Sequence, residues 1–260
     1  ITDIQFTSSS FNTEITSLII EPLQTGIINI EANNNSSEYV EDAMEIISEN
    51  LPEGLSVSLS VTGTQGNVLT GNLSGSIDVA TYRISGDLTV ADGDTVSLHT
   101  GTEFLFDGAY NFNIYGTLKA IGTEEDSIIF DNFGDEKWRG FTLENVSDET
   151  EFRYVRISGA QKNFGGGMYL WNSDPTLANV TIRSNTGNLG CGMYLISSNP
   201  TFTNSTIANN IAYVRGVMSL SDSDPTLTNV TIESNTATDY GGGMYLTSSN
   251  PTLTNVTLEN

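Results

Sequence analysis

The 260-residue chain has one cysteine, one histidine and only nine lysines and arginines. Each scarcity excludes something. A lone thiol, Cys191, forbids an internal disulfide. It stands where the preceding repeat has Gly166, so it reads as a small packed residue rather than a nucleophile. Nine cations against 32 acidic residues leave a formal charge of −23. Such a surface repels nucleic acid and anionic membranes, which both need basic contacts. It suits divalent cations, a salty medium or plain colloidal solubility. No apolar run approaches the ~20 residues of a membrane span, so direct membrane insertion is not expected. The chain opens at Ile1 rather than Met, with no signal peptide, and reads as a processed form or an excerpt. Asn, Ser, Thr and Gly are abundant, yet 37% apolar content and strict periodicity argue against disorder.

What the sequence does have is a repeat. Gly-Met-Tyr-Leu at 167–170 returns at 192–195 and 243–246, with a degenerate copy, Val-Met-Ser-Leu, at 217–220. Pro175, Pro200, Pro225 and Pro251 follow in step, 25, 25 and 26 residues apart. A fixed period in this range means stacked supersecondary units. In 167–190, Met168-Tyr169-Leu170 alternates, with Met168 and Leu170 on one face and Tyr169 on the other. Asn172-Ser173-Asp174-Pro175 is turn chemistry. Thr176-Leu177-Ala178 is a second short strand, Asn179 a corner, and Val180-Thr181-Ile182 a third strand. Asn185-Thr186-Gly187 and the glycines before the next Met close the loop. An α-solenoid is excluded, because no stretch carries a 3.6-residue apolar period.

The economical solution is a parallel β-helix in which each strand pairs with its counterpart one coil later. Four inner columns are then expected: Met168, Met193, Met218 and Met244; Leu170, Leu195, Leu220 and Leu246; Leu177, Phe202, Leu227 and Leu253; Ile182, Ile207, Ile232 and Leu258. A slip of one residue would throw every column out of register. Asn179, Asn204, Asn229 and Asn255 form a corner column whose amides would donate to carbonyls of the next coil. Asn185, Asn210 and Asn235 form a second. Residues 76–160 fit the same fold less regularly, so 76–260 makes about seven coils of ~25 residues, with regular coils from about 161.

Residues 1–75 lack the repeat. Ile4–Phe6, Ile15–Ile20, Ile27–Ile30 and the alternating Leu55, Val57, Leu59 and Val61 read as strands. Ser37–Asn50 reads as a helix, since Val40, Met44, Ile47 and Leu51 fall at helical spacing and Glu38 and Glu41 suit a first turn. The segment is expected to be a small α+β domain, either a cap on the β-helix or an assembly module. The chain stops at Asn260 after the third strand of its coil. Continuation into a longer protein, or axial stacking with another copy, is expected there.

The runs Gly86–Phe106, Gly116–Asn132, Trp138–Asn145 and Phe152–Ala160, followed by Gly165–Asn185, resemble secreted right-handed parallel β-helix proteins of the pectin-lyase-like superfamily. They more closely resemble large bacterial surface and secreted proteins built of such repeats. The repeats themselves are similar to those of chlamydial polymorphic outer-membrane proteins and autotransporter-like adhesins. The resemblance covers about 80–260. It implies an extracellular or cell-surface setting and a family that includes lyases, hydrolases, adhesins, phage tailspikes and structural shafts. Polygalacturonases of this kind carry Asn-Thr-Asp, an Asp-Asp pair, Gly-His-Gly and Arg-Ile-Lys, none of which is in this sequence. Lyases of the superfamily need a basic residue beside calcium-binding carboxylates.

Candidate chemistry therefore lies in ladders or where the repeat breaks. Tyr169, Tyr194 and Tyr245 project outward, interrupted at Ser219. Stacked phenols would grip sugar rings, or shield strand edges by stacking on each other. Arg215 reads as the replacement of a glycine in the degenerate repeat and is a candidate carbohydrate contact. Asp174, Asn199, Asp224 and Asn250 line a bend where oxygens would hold Ca²⁺, although Asp/Asn-Pro turn propensity explains the pattern as well. Thr176, Thr201, Thr226 and Thr252, with Ala178, Thr203, Thr228 and Thr254, form a Thr-x-Thr array whose layout resembles ice-binding β-solenoids; outward Thr is also ordinary strand propensity. Trp138-Arg139 and Arg153–Arg156 are read as core aromatics or as a polar face, and His99 as an exposed strand residue. No catalytic residue is assigned. The reading is a structural or adhesive β-helix: a stiff shaft, a filament subunit, or a binding module of a larger surface protein. Its expected partners are other copies of itself, other surface proteins and polysaccharide, with no nucleic acid. The alternatives are a carbohydrate-binding or polysaccharide-degrading β-helix, Ca²⁺-dependent or not, and an ice-binding protein.

Overall fold

The computed structural model describes residues 67–259 continuously, and before them strands at Asp3–Phe6, Phe11–Asn12, Glu31–Ala32, Tyr39–Ser48 and Leu51–Thr62. The chain divides into two compact units, Ile1–Asn67 and Val68–Asn260. In the second unit every strand pairs in parallel with its counterpart one winding away, as the period requires.

Three walls result. Wall A stacks residues 71–73, 88–90, 112–114, 141–144, 168–171, 193–196, 218–221 and 244–247. Those eight strands make seven rises of one rung, roughly 34 Å at ~4.8 Å per rung. Wall B runs from Gly75–Ile77 to Thr252–Thr254, and wall C from 68–69 to Thr257–Glu259. The first rungs of all three walls lie before residue 78, so the β-helix begins at Val68, within the stretch that lacks the repeat in sequence.

The inner columns stand as the alternation demands. Met168 pairs with Met193, Leu177 with Phe202 and Ile182 with Ile207, all in register and all buried. The early windings fill their interior with rings. Phe104 stacks on Phe130 at 5.2 Å between centroids and Phe112 on Phe141 at 5.2 Å. Trp138 is a core residue: it is fully buried, lies 4.2 Å from Phe106, and donates its indole N–H to the Ser158 carbonyl at 2.7 Å. Arg153 instead faces out and pairs with Glu151.

Polar ladders satisfy the backbone at the bends. The column Asn185, Asn210 and Asn235 is buried. The Asn210 backbone N–H and its side-chain amide both donate to Asn235 Oδ1, at 2.9 and 3.1 Å, and the amide also donates to the Ile182 carbonyl at 3.0 Å. The corner column Asn179, Asn204, Asn229 and Asn255 behaves differently from its expectation. Asn229 Nδ2 donates to Asn204 Oδ1 at 2.9 Å, and Asn255 Nδ2 to Asn229 Oδ1 at 3.1 Å, so these amides bond to one another rather than to carbonyls. All four take left-handed φ, from 50° to 55°. Asn adopts that region at small cost. A third ladder, Ser173, Ser198, Ser223 and Ser249, escaped the sequence reading. Each of the first three donates its backbone N–H to the next serine's Oγ, at 3.1, 3.0 and 3.0 Å.

The first unit corrects one expectation. Tyr39–Ser48 is a strand, not a helix, and the described part of this unit is all β rather than α+β. It pairs antiparallel with Asp3–Phe6 on one side and with Leu51–Thr62 on the other. Met44 sits opposite Phe6 and Val57, and Ile46 opposite Ile4 and Leu55. Backbone pairing to a strand on each side overrides a helical spacing visible only within the segment. Asp3–Phe6 and Leu51–Thr62 agree with the strands read there. The strands read at 15–20 and 27–30 lie outside the described residues.

Candidate functional site

The outer face of wall A carries one register column along its whole length: Asn72, Thr89, Asn113, Thr142, Tyr169, Tyr194, Ser219 and Tyr245. It is polar and small in the early windings and aromatic in the late ones. Tyr169 and Tyr194 lie 5.9 Å apart with rings tilted by 56°. They are half-buried, and Ser219, which interrupts the ladder, is buried.

A ridge borders this face. The loops from wall C to wall A form a fourth ladder, Thr186–Leu189 with Ile211–Arg215 and Thr236–Ala237. Single bridges extend it, Gln161 to Thr186, Phe164 to Leu189 and Arg215 to Tyr240. Its outermost column is therefore Phe164, Leu189, Arg215 and Tyr240. This revises the position of Arg215. The glycine of the repeat survives next door as Gly216, with φ +33° against +64°, +58° and +61° at Gly165, Gly190 and Gly241. A register shift between Gly187 and Leu189 absorbs the difference, so Arg215 is the counterpart of Leu189 and does not replace the glycine.

The ridge leans over the tyrosines. Phe164 stacks on Tyr194, one winding on, at 6.0 Å and 29°. The Arg215 guanidinium lies 4.8 Å from the Tyr245 ring centre, again one winding on. Lys162 Nζ lies 5.8 Å from the Tyr169 ring centre and donates to Thr142 Oγ1 at 2.5 Å. Burial holds the Lys162 amine below its usual range; Glu144 opposes that shift and Arg139 adds to it. Burial, with help from Glu144 and Tyr194, pushes the Tyr169 phenol up. The strip thus combines phenol rings with the Lys162 amine and the Arg215 guanidinium. Exposed rings at Tyr213 and Tyr240 stand along the ridge. Toward the early windings the face continues into an open cleft of about 400 Å³, lined by Asn72, Thr89, Ala91, Asp92, Tyr115, Glu144 and Asn145.

The structure thus brings together Tyr169, Tyr194, Tyr245 and Arg215, and adds Phe164 and Lys162, which the sequence reading missed. Their signal was present but faint, because the loops they occupy vary from repeat to repeat.

The Asp/Asn column has a different use. Asp174 Oδ1 accepts the Asn199 backbone N–H, Asn199 Oδ1 accepts that of Asp224, and Asp224 Oδ1 accepts that of Asn250. Its two carboxylates are two windings apart, about 10 Å at strand spacing. A calcium cage gathers six to eight oxygens at about 2.3–2.6 Å. These residues do not fit a shared Ca²⁺, and among the described residues no group of three or more His, Cys, Asp and Glu could hold a metal ion. His99 is exposed, with Nδ1 3.4 Å from Asp78 Oδ1 and Nε2 3.5 Å from Ser76 Oγ. The order imitates a nucleophilic triad, but Asp78 is 92% exposed, so no dry site activates the serine. Cys191 is buried, and burial pushes its thiol up to about 12. The Thr columns stand in register on wall B, Thr176 to Thr201, Thr226 and Thr252, and Ala178 to Thr203, Thr228 and Thr254.

Residues 139–260 match the family model of a right handed beta helix region, which spans windings four to eight and gives the coil its hand. No curated protein and no solved structure matches the chain.

Proposed function

We propose that this chain is a structural and adhesive β-helix of an extracellular or cell-surface protein, and that the outer face of wall A is its polysaccharide-binding surface. The observation that carries the reading is the strip Tyr169, Tyr194 and Tyr245 with Phe164, Lys162 and Arg215 leaning over it. Rings held at rung spacing on a rigid sheet offer flat apolar faces to a sugar chain at little entropic cost. Lys162 and Arg215 on the ridge, and the amides of Asn72 and Asn113 in the wall A column, supply directional contacts. A rigid shaft of eight rungs suits display, and other copies or other surface proteins are its natural neighbours in such a setting.

Binding is favoured over degradation because Asp174 and Asp224 are engaged as acceptors for backbone N–H groups of the next winding. The test is titration calorimetry with soluble neutral and uronate polysaccharides. Tyr194→Ala is expected to weaken binding about two- to tenfold, the worth of one stacked ring. Equal affinity of wild type and Tyr194→Ala would reject the strip. Release of unsaturated ends from a uronate polymer would convert the reading to an enzyme.

A further inference from the structure

We infer that the asparagine corners between walls B and C are acceptors for N-linked saccharide. Asn179, Asn204, Asn229 and Asn255 each open an Asn-x-Ser/Thr sequence, with Thr181, Thr206, Thr231 and Thr257 two residues on and Val or Ser between. That triplet is the acceptor signature for attachment of a sugar to the asparagine amide, a bulky and solubilising surface modification.

The fold sorts the asparagines of the repeat by this property. The buried column Asn185, Asn210 and Asn235 is followed at the second position by Gly187, Ala212 and Ala237. The exposed Asn199 and Asn250 are each followed by proline, which blocks the signature. Within the regular windings only the corner column combines a hydroxyl at the second position with an outward side chain; in the first winding the exposed Asn72-Leu73-Ser74 also carries the triplet, on the outer face of wall A. Asn204, Asn229 and Asn255 are exposed, in the left-handed bend that lifts them off the wall. Each threonine follows on the outer face of wall C, in register with its neighbours. The amide and the hydroxyl of one triplet are therefore offered on the same side of the folded chain. Asn145-Val146-Ser147, exposed and left-handed at the corner between walls A and B, repeats the arrangement once.

The hydrogen bonds leave room for the chemistry. Asn229 Nδ2 donates one hydrogen to Asn204 Oδ1 and carries a second. In the transfer, Nδ2 loses that second hydrogen as a proton and bonds to the anomeric carbon. The bond from that carbon to the phosphate oxygen of an activated sugar donor breaks, and the phosphate leaves with the electron pair. The donor is a nucleotide- or lipid-linked sugar phosphate. Adjacent corners are about 4.8 Å apart, less than the width of a substituted sugar ring, so saccharides occupy alternate windings. This modification is independent of the binding strip: here the protein carries saccharide covalently, on a different corner.

Mass spectrometry of proteolytic peptides from the protein purified from its own source tests the inference. Saccharide mass is expected on Asn204 or Asn229, not on both in one molecule. Thr231→Ala, expressed in the same organism, is expected to abolish modification at Asn229, while Thr231→Ser retains it. Unmodified peptides across all four corners would overturn the inference, as would saccharide persisting at Asn229 in Thr231→Ala.

Discussion

Replacing Asn210 by leucine puts an apolar side chain, branched at the same carbon, in the middle of the buried amide ladder. Asn210 Oδ1 accepts the Asn185 backbone N–H at 3.0 Å and the Asn185 amide at 3.1 Å, and its own amide donates to the Ile182 carbonyl. The substitution leaves the Asn185 N–H and the Ile182 carbonyl without their partners in a fully buried bend. Each orphaned group costs about 1–3 kcal/mol, so the loss is about 2–6 kcal/mol. A stacked array responds locally before it responds globally. The assay is therefore denaturant unfolding together with amide exchange at Ile211, whose N–H donates to the Asn185 carbonyl at 2.9 Å. Asn210→Leu is expected to speed exchange there by at least tenfold and to lower the unfolding midpoint. Thr201→Ala, on the exposed outer face of wall B, is the control and should change stability by no more than about 0.5 kcal/mol. If Asn210→Leu matched that control, the claim that amide ladders hold the bends would be refuted.

Other outcomes follow from the same geometry. Ile207→Ala, in a fully buried column between Ile182 and Ile232, should cost about 2–5 kcal/mol in urea unfolding. Gly190→Ala should destabilise by more than about 1 kcal/mol, because φ is +58° and a β-carbon would meet the Met193 carbonyl oxygen at 2.2 Å. Cys191, with its thiol raised to about 12, should resist alkylation at pH 8 in the folded protein and react in urea. Burial lowers the Lys162 pKa from its ordinary 10.5, so above the folded value the folded state binds fewer protons than the unfolded one. Its contribution to stability then rises with pH up to about 10.5, and Lys162→Met should remove that increment from unfolding curves taken across this range.

Most of the second unit was legible without coordinates, for a definite reason. In a parallel β-helix each strand's best partner is its own copy one winding later, so long-range pairing appears in the sequence as a period. Met168, Leu177 and Ile182 announce their walls because slipping any of them by one residue would turn an apolar column to water. The buried Asn185 column was visible for the same reason. The Ser173 column recurs just as regularly, but an isolated serine in a turn gives no hint that its hydroxyl caps the next winding.

The first unit was less legible because its partners are not copies. Val40, Met44, Ile47 and Leu51 fit a helix within 37–51. Only pairing with Asp3–Phe6 and Leu51–Thr62 on its two sides makes the segment a strand.

The sequence by itself determined the stacking, the register and the division into inner and outer faces, because identical rungs bond to each other and their alternation leaves one solution. Tertiary structure alone decided that Tyr39–Ser48 extends. It alone decided that Arg215 takes the place of Leu189 beside a retained Gly216, and that Phe164 and Lys162 reach across to the tyrosines. Those outcomes depend on non-repeating loops and unlike partners, whose meetings in space leave no period along the chain.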